Sequence, residues 1–95
     1  MKNIIAVIKN RRTLATLKEE RKTIEIRLHT ARQQLARYRD RYAYLTSRVY
    51  HERPNPDEVE RTLDLILNRE RAVYNFTQVL NETDARIKAI RGVNN

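Results

Sequence analysis

The chain has no cysteine and no tryptophan, and it contains a single serine and a single glycine, Ser47 and Gly92. The absence of cysteine excludes disulfide bonds and thiolate metal sites. A Gly-rich phosphate-binding loop needs more than one glycine, and the lone serine has no partner residues that would suggest a catalytic triad. We therefore predict a protein that is not an enzyme, needs no cofactor and has no small-molecule substrate.

Metal-ligating clusters and long apolar runs are also missing from the sequence. Neither His29 nor His51 has a second ligand at the spacing that a metal site requires, so no metal site is predicted. The longest apolar run, residues 4–8, is far shorter than the ~20 residues of a membrane-spanning helix, and no small-residue cleavage site follows it. We expect no membrane partner and no secretion, and hence a cytoplasmic protein or, if the source is viral, one inside the virion.

What the sequence does contain is a heptad seam that continues for five repeats without glycine or proline. Its positions alternate in spacing by three and four residues, and ten of its eleven side chains can be buried, which predicts one long supercoiled helix over residues 14–52. Residues 1–13 are expected to form overhanging first turns of this helix. The seam consists of Leu14, Leu17, Arg21, Ile24, Leu28, Ala31, Leu35, Tyr38, Tyr42, Leu45 and Val49.

Two prolines mark the one strong break in the pattern. Pro54 excludes Arg53 from a helix, while Asn55 is a favourable N-cap that precedes Pro56 at the first helical position. The turn is predicted at 53–56 and a second helix at 56–92. Because a short connection makes two heptad helices antiparallel neighbours, we predict an all-α, single-domain coiled-coil hairpin over residues 1–95.

Folding the chain about Pro54 gives a predicted register. Leu45 then faces Leu63. The register places Arg39 near Glu70 and Arg48 near Glu58, which are opposite in sign, but it also places Lys18 near Arg91. Arg21 is the only charged residue of the seam, and we interpret it as a register-setting residue that reaches across to Asp84.

Apolar side chains exceed what one facing helix can cover. Such an excess indicates a partner. The simplest partner is a second copy, giving a homodimeric four-helix bundle; the alternative is a larger assembly. The predicted partner-binding residues are Ile4, Ile5, Val7 and Ile8 on helix one and Leu65, Ala72 and Val79 on helix two.

Positive charge is concentrated in the first half of the chain. Residues 1–53 contain 14 Lys and Arg against 5 Asp and Glu, whereas residues 54–95 contain 6 against 7. This asymmetry indicates a face that meets phosphates or an acidic protein surface, although a solvated coiled-coil flank also explains it. The candidate polyanion-binding residues are Arg27, Arg32, Arg37, Arg39, Arg41, Tyr44, Arg48 and Tyr50.

Two functions follow from these patterns. The first is a non-catalytic interaction protein that binds or regulates a larger, acidic-surfaced protein partner through its apolar residues. The alternative is an RNA- or DNA-binding hairpin that uses the arginine flanks of helix one. We favour the first, because an acidic protein explains both the charge and the apolar excess, whereas nucleic acid explains only the charge.

Overall fold

Two helices account for nearly all of the described chain. The computed structural model describes residues 2–47 and 55–94, with the side chains of residues 4, 7–47 and 55–92. Helix α1 comprises Lys2–Thr46 and helix α2 comprises Pro56–Asn94. Within the described ranges only Ser47 and Asn55 are non-helical, and there is no strand. The two helices pack against each other, which confirms the predicted all-α helical hairpin.

Helix α1 ends earlier than predicted, at Thr46 instead of residue 52. The Ser47 N–H donates to the Tyr44 carbonyl at 3.2 Å, which tightens the last turn. The Thr46 hydroxyl donates to the Tyr42 carbonyl at 2.8 Å. Serine and threonine compete in this way with regular helical hydrogen bonds, so they favour a helix end here. The predicted turn residues 53 and 54 lie outside the described residues.

Helix α2 begins at the predicted cap. The Asn55 side chain accepts a hydrogen bond from the Asp57 N–H at 3.0 Å, and its carbonyl accepts one from the Val59 N–H at 3.0 Å. Asp57 and Glu58 place negative charge in the first turn, where it stabilises the positive end of the helix dipole. The helix continues through Gly92 to Asn94, two residues beyond its predicted end.

The hairpin divides into two compact units. The terminal unit comprises Met1–Arg27 and Phe76–Asn95, and the central unit comprises Leu28–Asn75. In the terminal unit, Leu17, Thr83 and Ile87 are buried, while the neighbouring Leu14 and Ile24 are only half-buried. The central unit has more buried residues, namely Leu28, Ala31, Leu35, Leu45, Thr62 and Ile66.

The seam of α1 is the core face of that helix. Each of its ten described positions, from Leu14 to Leu45, is buried or half-buried; Val49 lies outside the described residues. Tyr38 and Tyr42 are among the half-buried positions, in agreement with their assignment to the core.

On α2 one predicted pairing, that of Leu63 with Leu45, was wrong. Leu63, expected to face Leu45, is 41% exposed, whereas Thr62 is 3% exposed. The alternation of three and four residues passes through Thr62, Ile66, Arg69 and Val73, so helical geometry buries threonine in preference to leucine. The Thr62 hydroxyl donates to the Glu58 carbonyl at 2.8 Å, which satisfies its buried polar group within its own helix.

Candidate interaction surfaces

The first turns of α1 expose aliphatic side chains. Ile4 is 64% exposed, Val7 and Ile8 are also exposed, and these three line an open groove of about 430 Å³ together with Arg11. We call Ile4, Val7, Ile8 and Arg11 the N-terminal patch. The side chain of Ile5, the fourth predicted apolar residue here, lies outside the described residues.

The N-terminal patch is surrounded by positive charge. Lys9, Arg11 and Arg12 are all exposed. No aspartate or glutamate occurs in the sequence before Glu19, so no acidic side chain of this segment can neutralise them. An apolar surface with an unneutralised basic border is complementary to an apolar surface with an acidic border.

The predicted apolar residues of α2 differ in exposure. Leu65, in the central unit, is exposed and lines a groove of about 270 Å³ with Tyr38, Arg41 and Glu58 among others. Ala72, in the same unit, is half-buried. Val79, in the terminal unit, is exposed and lines a separate groove of about 430 Å³ beside Arg27.

A second apolar surface lies on the central unit, and it includes Leu63, which the register had placed against Leu45. Leu63, Leu67 and Tyr74 are all exposed, and they lie four and then seven residues apart, so they share one side of α2. We call these three residues the outer stripe. Its signal in the sequence was the strict alternation of three and four residues, which passes through Thr62 and leaves Leu63 outside.

The candidate polyanion-binding arginines do not form one free basic surface. Arg39 donates to Glu70 at 3.1 Å, as the predicted register requires, and Arg41 forms an ion pair with Glu58. Arg27, Arg32 and Arg37 are exposed. Tyr44 is exposed as well, one heptad beyond Arg37. Arg48 and Tyr50 lie outside the described residues, so the expected proximity of Arg48 to Glu58 stays a prediction.

Arg21 bridges two carboxylates in the terminal unit. Its Nε donates to Asp84 Oδ1 at 2.5 Å across the helices, and its Nη1 donates to Glu25 on its own helix. The hydrogen bond that Arg21 donates to Asp84 is the main cause that raises the pKa of its guanidinium, and the Glu25 charge adds to it. Since an arginine side chain is protonated at any ordinary pH, the bridge stays charged. The expected contact with Asp84 is present; its role in fixing the register stays a prediction.

A cationic groove lies beside this bridge. It has a volume of about 500 Å³. Its lining combines four cationic side chains, one carboxylate and one aliphatic side chain: Lys18, Lys22, Arg21, Arg91, Asp84 and Ile87. The predicted register placed Lys18 near Arg91, and both line this groove; the part of Lys22 in it was not predicted.

The described residues contain neither a metal-binding cluster nor a membrane-spanning helix. No group of three or more His, Cys, Asp or Glu side chains that could hold a metal ion occurs among them. Within residues 2–47 and 55–94, neither helix has an apolar stretch long enough to cross a membrane.

The fold and these surfaces define the chain as a helical hairpin with exposed apolar and basic surfaces. Comparisons with models of protein families, with curated proteins and with solved structures find no match.

Proposed function

We propose that the chain is a non-catalytic interaction protein that binds, and thereby regulates, a larger protein with an acidic surface. The N-terminal patch is the observation that carries this proposal. Ile4 and Ile8 are exposed at the start of α1, beside Lys9, Arg11 and Arg12. Burying an aliphatic side chain contributes roughly 1.5–3 kcal/mol, so covering this patch supplies substantial binding free energy.

The charge of the patch selects the kind of partner. A second copy would bring the same basic segment against itself, and like charges oppose such an association. An acidic partner surface would both cover the isoleucines and neutralise the lysine and arginine side chains. For this reason the N-terminal patch is assigned to a different protein and not to a homodimer contact.

The test uses two matched isoleucines of α1. Ile4 and Ile26 both lie in the terminal unit and are 64% and 67% exposed. Ile4→Asp with Ile8→Asp should lower recovery of the partner in a pull-down from the native host by at least about tenfold. This loss is expected because the partner would bury both isoleucine side chains in the complex. Ile26→Asp should leave recovery and helicity unchanged. Nuclease treatment in parallel should have no effect.

The outcomes separate the alternatives. Partner recovery that is equal for the wild type and the Ile4/Ile8 variant would refute the role of the N-terminal patch. Recovery that disappears after nuclease treatment would instead support the nucleic-acid alternative. Circular dichroism of each variant verifies that helicity persists, since both substituted positions are exposed.

Self-association is proposed to use a different surface, the outer stripe of the central unit. Leu63, Leu67 and Tyr74 are exposed there, and the central unit has a net charge of +2 from nine basic and seven acidic residues, so repulsion between copies is weak. We expect light scattering to give twice the 11.4 kDa chain mass for the wild type and a single chain mass for Leu63→Asp with Leu67→Asp. A wild-type mass of 11.4 kDa at high concentration would contradict the homodimer.

Nucleic-acid binding is the second candidate function, supported by the exposure of Arg27, Arg32 and Arg37. The ion pairs of Arg39 and Arg41 count against it, because binding a phosphate would have to displace Glu70 or Glu58. Its test is a salt titration with RNA and DNA, in which log affinity should fall by about 0.7–0.9 per phosphate contacted for each unit of log salt. The absence of a complex at low salt would exclude this candidate.

A further inference from the structure

Lys18 and Arg91, both positive, line the cationic groove. At the equivalent position of the central unit, the hairpin pairs two opposite charges. Lys18 and Arg91 each lie 21 residues, or three heptads, from Arg39 and Glu70 respectively. The two pairs therefore occupy equivalent layers of the antiparallel register. Arg39 and Glu70 form an ion pair at 3.1 Å, whereas the equivalent layer in the terminal unit has a lysine and an arginine.

The next layer of the terminal unit, one heptad from Lys18 and Arg91, shows how the chain accommodates two like charges. Glu25 and Asp84, one heptad from Lys18 and Arg91, are both negative, and the Arg21 guanidinium bridges them. Among the described residues, no carboxylate bridges Lys18 and Arg91 in a corresponding way. Among the described residues neither side chain is in an ion pair.

The other charges of the groove do not supply that bridge. Lys22 contacts Glu19 at 3.4 Å, but both side chains are largely exposed, so this pair is weak. Asp84 already accepts a hydrogen bond from Arg21, which also pairs with Glu25. Four cationic side chains against one carboxylate leave the lining with an excess of positive charge.

We propose that the cationic groove binds a compact anion carrying several phosphates, which bridges Lys18, Lys22 and Arg91. The arginine fork suits two oxygens of one phosphate, and the lysine ammonium groups act as point charges on the others. A volume of about 500 Å³ exceeds the need of one phosphate and lies in the range of small-molecule sites. This site is separate from the N-terminal patch, so it extends the proposed function instead of restating it.

The test is a calorimetric titration of the full chain with sodium tripolyphosphate as the probe, at low salt. Lys18→Gln with Arg91→Gln should weaken binding by about tenfold, since a screened surface charge is worth up to about a factor of five. Arg61→Gln with Arg71→Gln is the matched control, because it also removes two positive charges, from exposed positions of the central unit. It should weaken binding less than about twofold.

A gain of affinity provides a second, independent readout. Asp84→Asn removes the one negative charge of the lining and releases the Arg21 guanidinium, so tripolyphosphate should bind about threefold to fivefold more tightly. A role of the groove in folding alone would not produce this increase. The melting temperature of Lys18→Gln with Arg91→Gln should stay equal to or above that of the wild type, because the substitution removes a repulsion.

Three results would overturn the proposal. One is the absence of tripolyphosphate binding to the wild type at low salt. Another is an equal loss of affinity in the groove variant and the control, which would mean that only net charge matters. The third is binding of tripolyphosphate that the groove variant retains in full and that a 20-nucleotide RNA displaces, which would place the anion on the arginine flanks instead.

Discussion

The central and terminal units use one heptad scaffold but differ in how well their charges match. In the central unit, α1 and α2 are joined by the ion pairs Arg39–Glu70 and Arg41–Glu58, and Arg69 donates to Gln34 at 3.0 Å. In the terminal unit only the Arg21–Asp84 contact crosses between the helices among the described ion pairs.

Net charge follows the same division. The terminal unit has eleven basic and five acidic residues, a net charge of +6, whereas the central unit has nine and seven, a net charge of +2. A coiled coil that needed only to fold would be served by complementary charges along its whole length. The unmatched charges of the terminal unit therefore mark the part of the chain where binding is expected, and the central unit is the better candidate for structural support.

The comparison is tested most strongly by two leucines of equal exposure. Leu35 in the central unit and Leu17 in the terminal unit are both 7% exposed. Leu35→Ala should lower the free energy of unfolding by about 3 kcal/mol, near the middle of the range for buried leucines. Leu17→Ala should cost about 2 kcal/mol, because its half-buried neighbours and nearby solvent allow the cavity to relax. Urea denaturation followed by circular dichroism measures both, and equal costs would contradict the difference in burial between the two units.

The next largest effect on stability is expected from removing one arginine in each unit. Arg39→Ala removes one exposed cross-helix ion pair, whose contribution is about 0.2–1 kcal/mol. Arg21→Ala should lower the melting temperature more than Arg39→Ala does, because it leaves Glu25 and Asp84 as adjacent negative charges without their bridge. A double-mutant cycle with Asp84→Asn isolates the coupling. A smaller effect for Arg21 would argue against its role in fixing the register.

The buried threonines should respond alike in the two units. Thr62 and Thr83 lie three heptads apart, both are buried, and each hydroxyl donates to the carbonyl four residues earlier at 2.8 Å. Replacing either with valine should raise the free energy of unfolding by about 0.5 kcal/mol, since a methyl group replaces an internally satisfied hydroxyl. Thermal melts of the two variants provide the comparison, and a gain at only one site would show that the two layers are packed differently.

Gly92→Ala is the smallest of the expected effects. Gly92 is exposed near the end of α2, and nothing lies within 4 Å of the position that an added Cβ would occupy. Alanine stabilises a helix interior by up to about 1 kcal/mol relative to glycine, and a few tenths of this is expected so close to the helix end. A loss of stability would mean that this turn is not helical in solution.

The features of the fold that the sequence predicted correctly are those that a single physical rule determines. Heptad spacing alone determined the seam of α1, and every described position of that seam is buried or half-buried. The cap at Asn55 followed from its side-chain chemistry and from Pro56. These features are local, so the sequence contains all the information that they need.

The features that were missed depend on competition between rules. The predicted pairing of Leu45 with Leu63 was wrong, because the geometry of α2 and an internal hydrogen bond place Thr62 in the core. Arg41 pairs with Glu58, a contact that the register did not predict. The register placed Lys18 near Arg91, but the part of Lys22 in the cationic groove was missed, since the groove requires knowledge of both helices at once.

The first turns of α1 are weakly stabilised, and this affects how the chain recognises a partner. Its first turn contains no acidic residue to stabilise the helix dipole, and the described side chains of residues 4 and 7–9 are exposed. A helical segment of only a few turns is marginal without tertiary contacts. We expect the backbone amides of the first turns of α1 to exchange with deuterated solvent much faster than those of the central unit. They should become protected once a partner covers the isoleucines. Partner binding and the last stage of folding would then be one event.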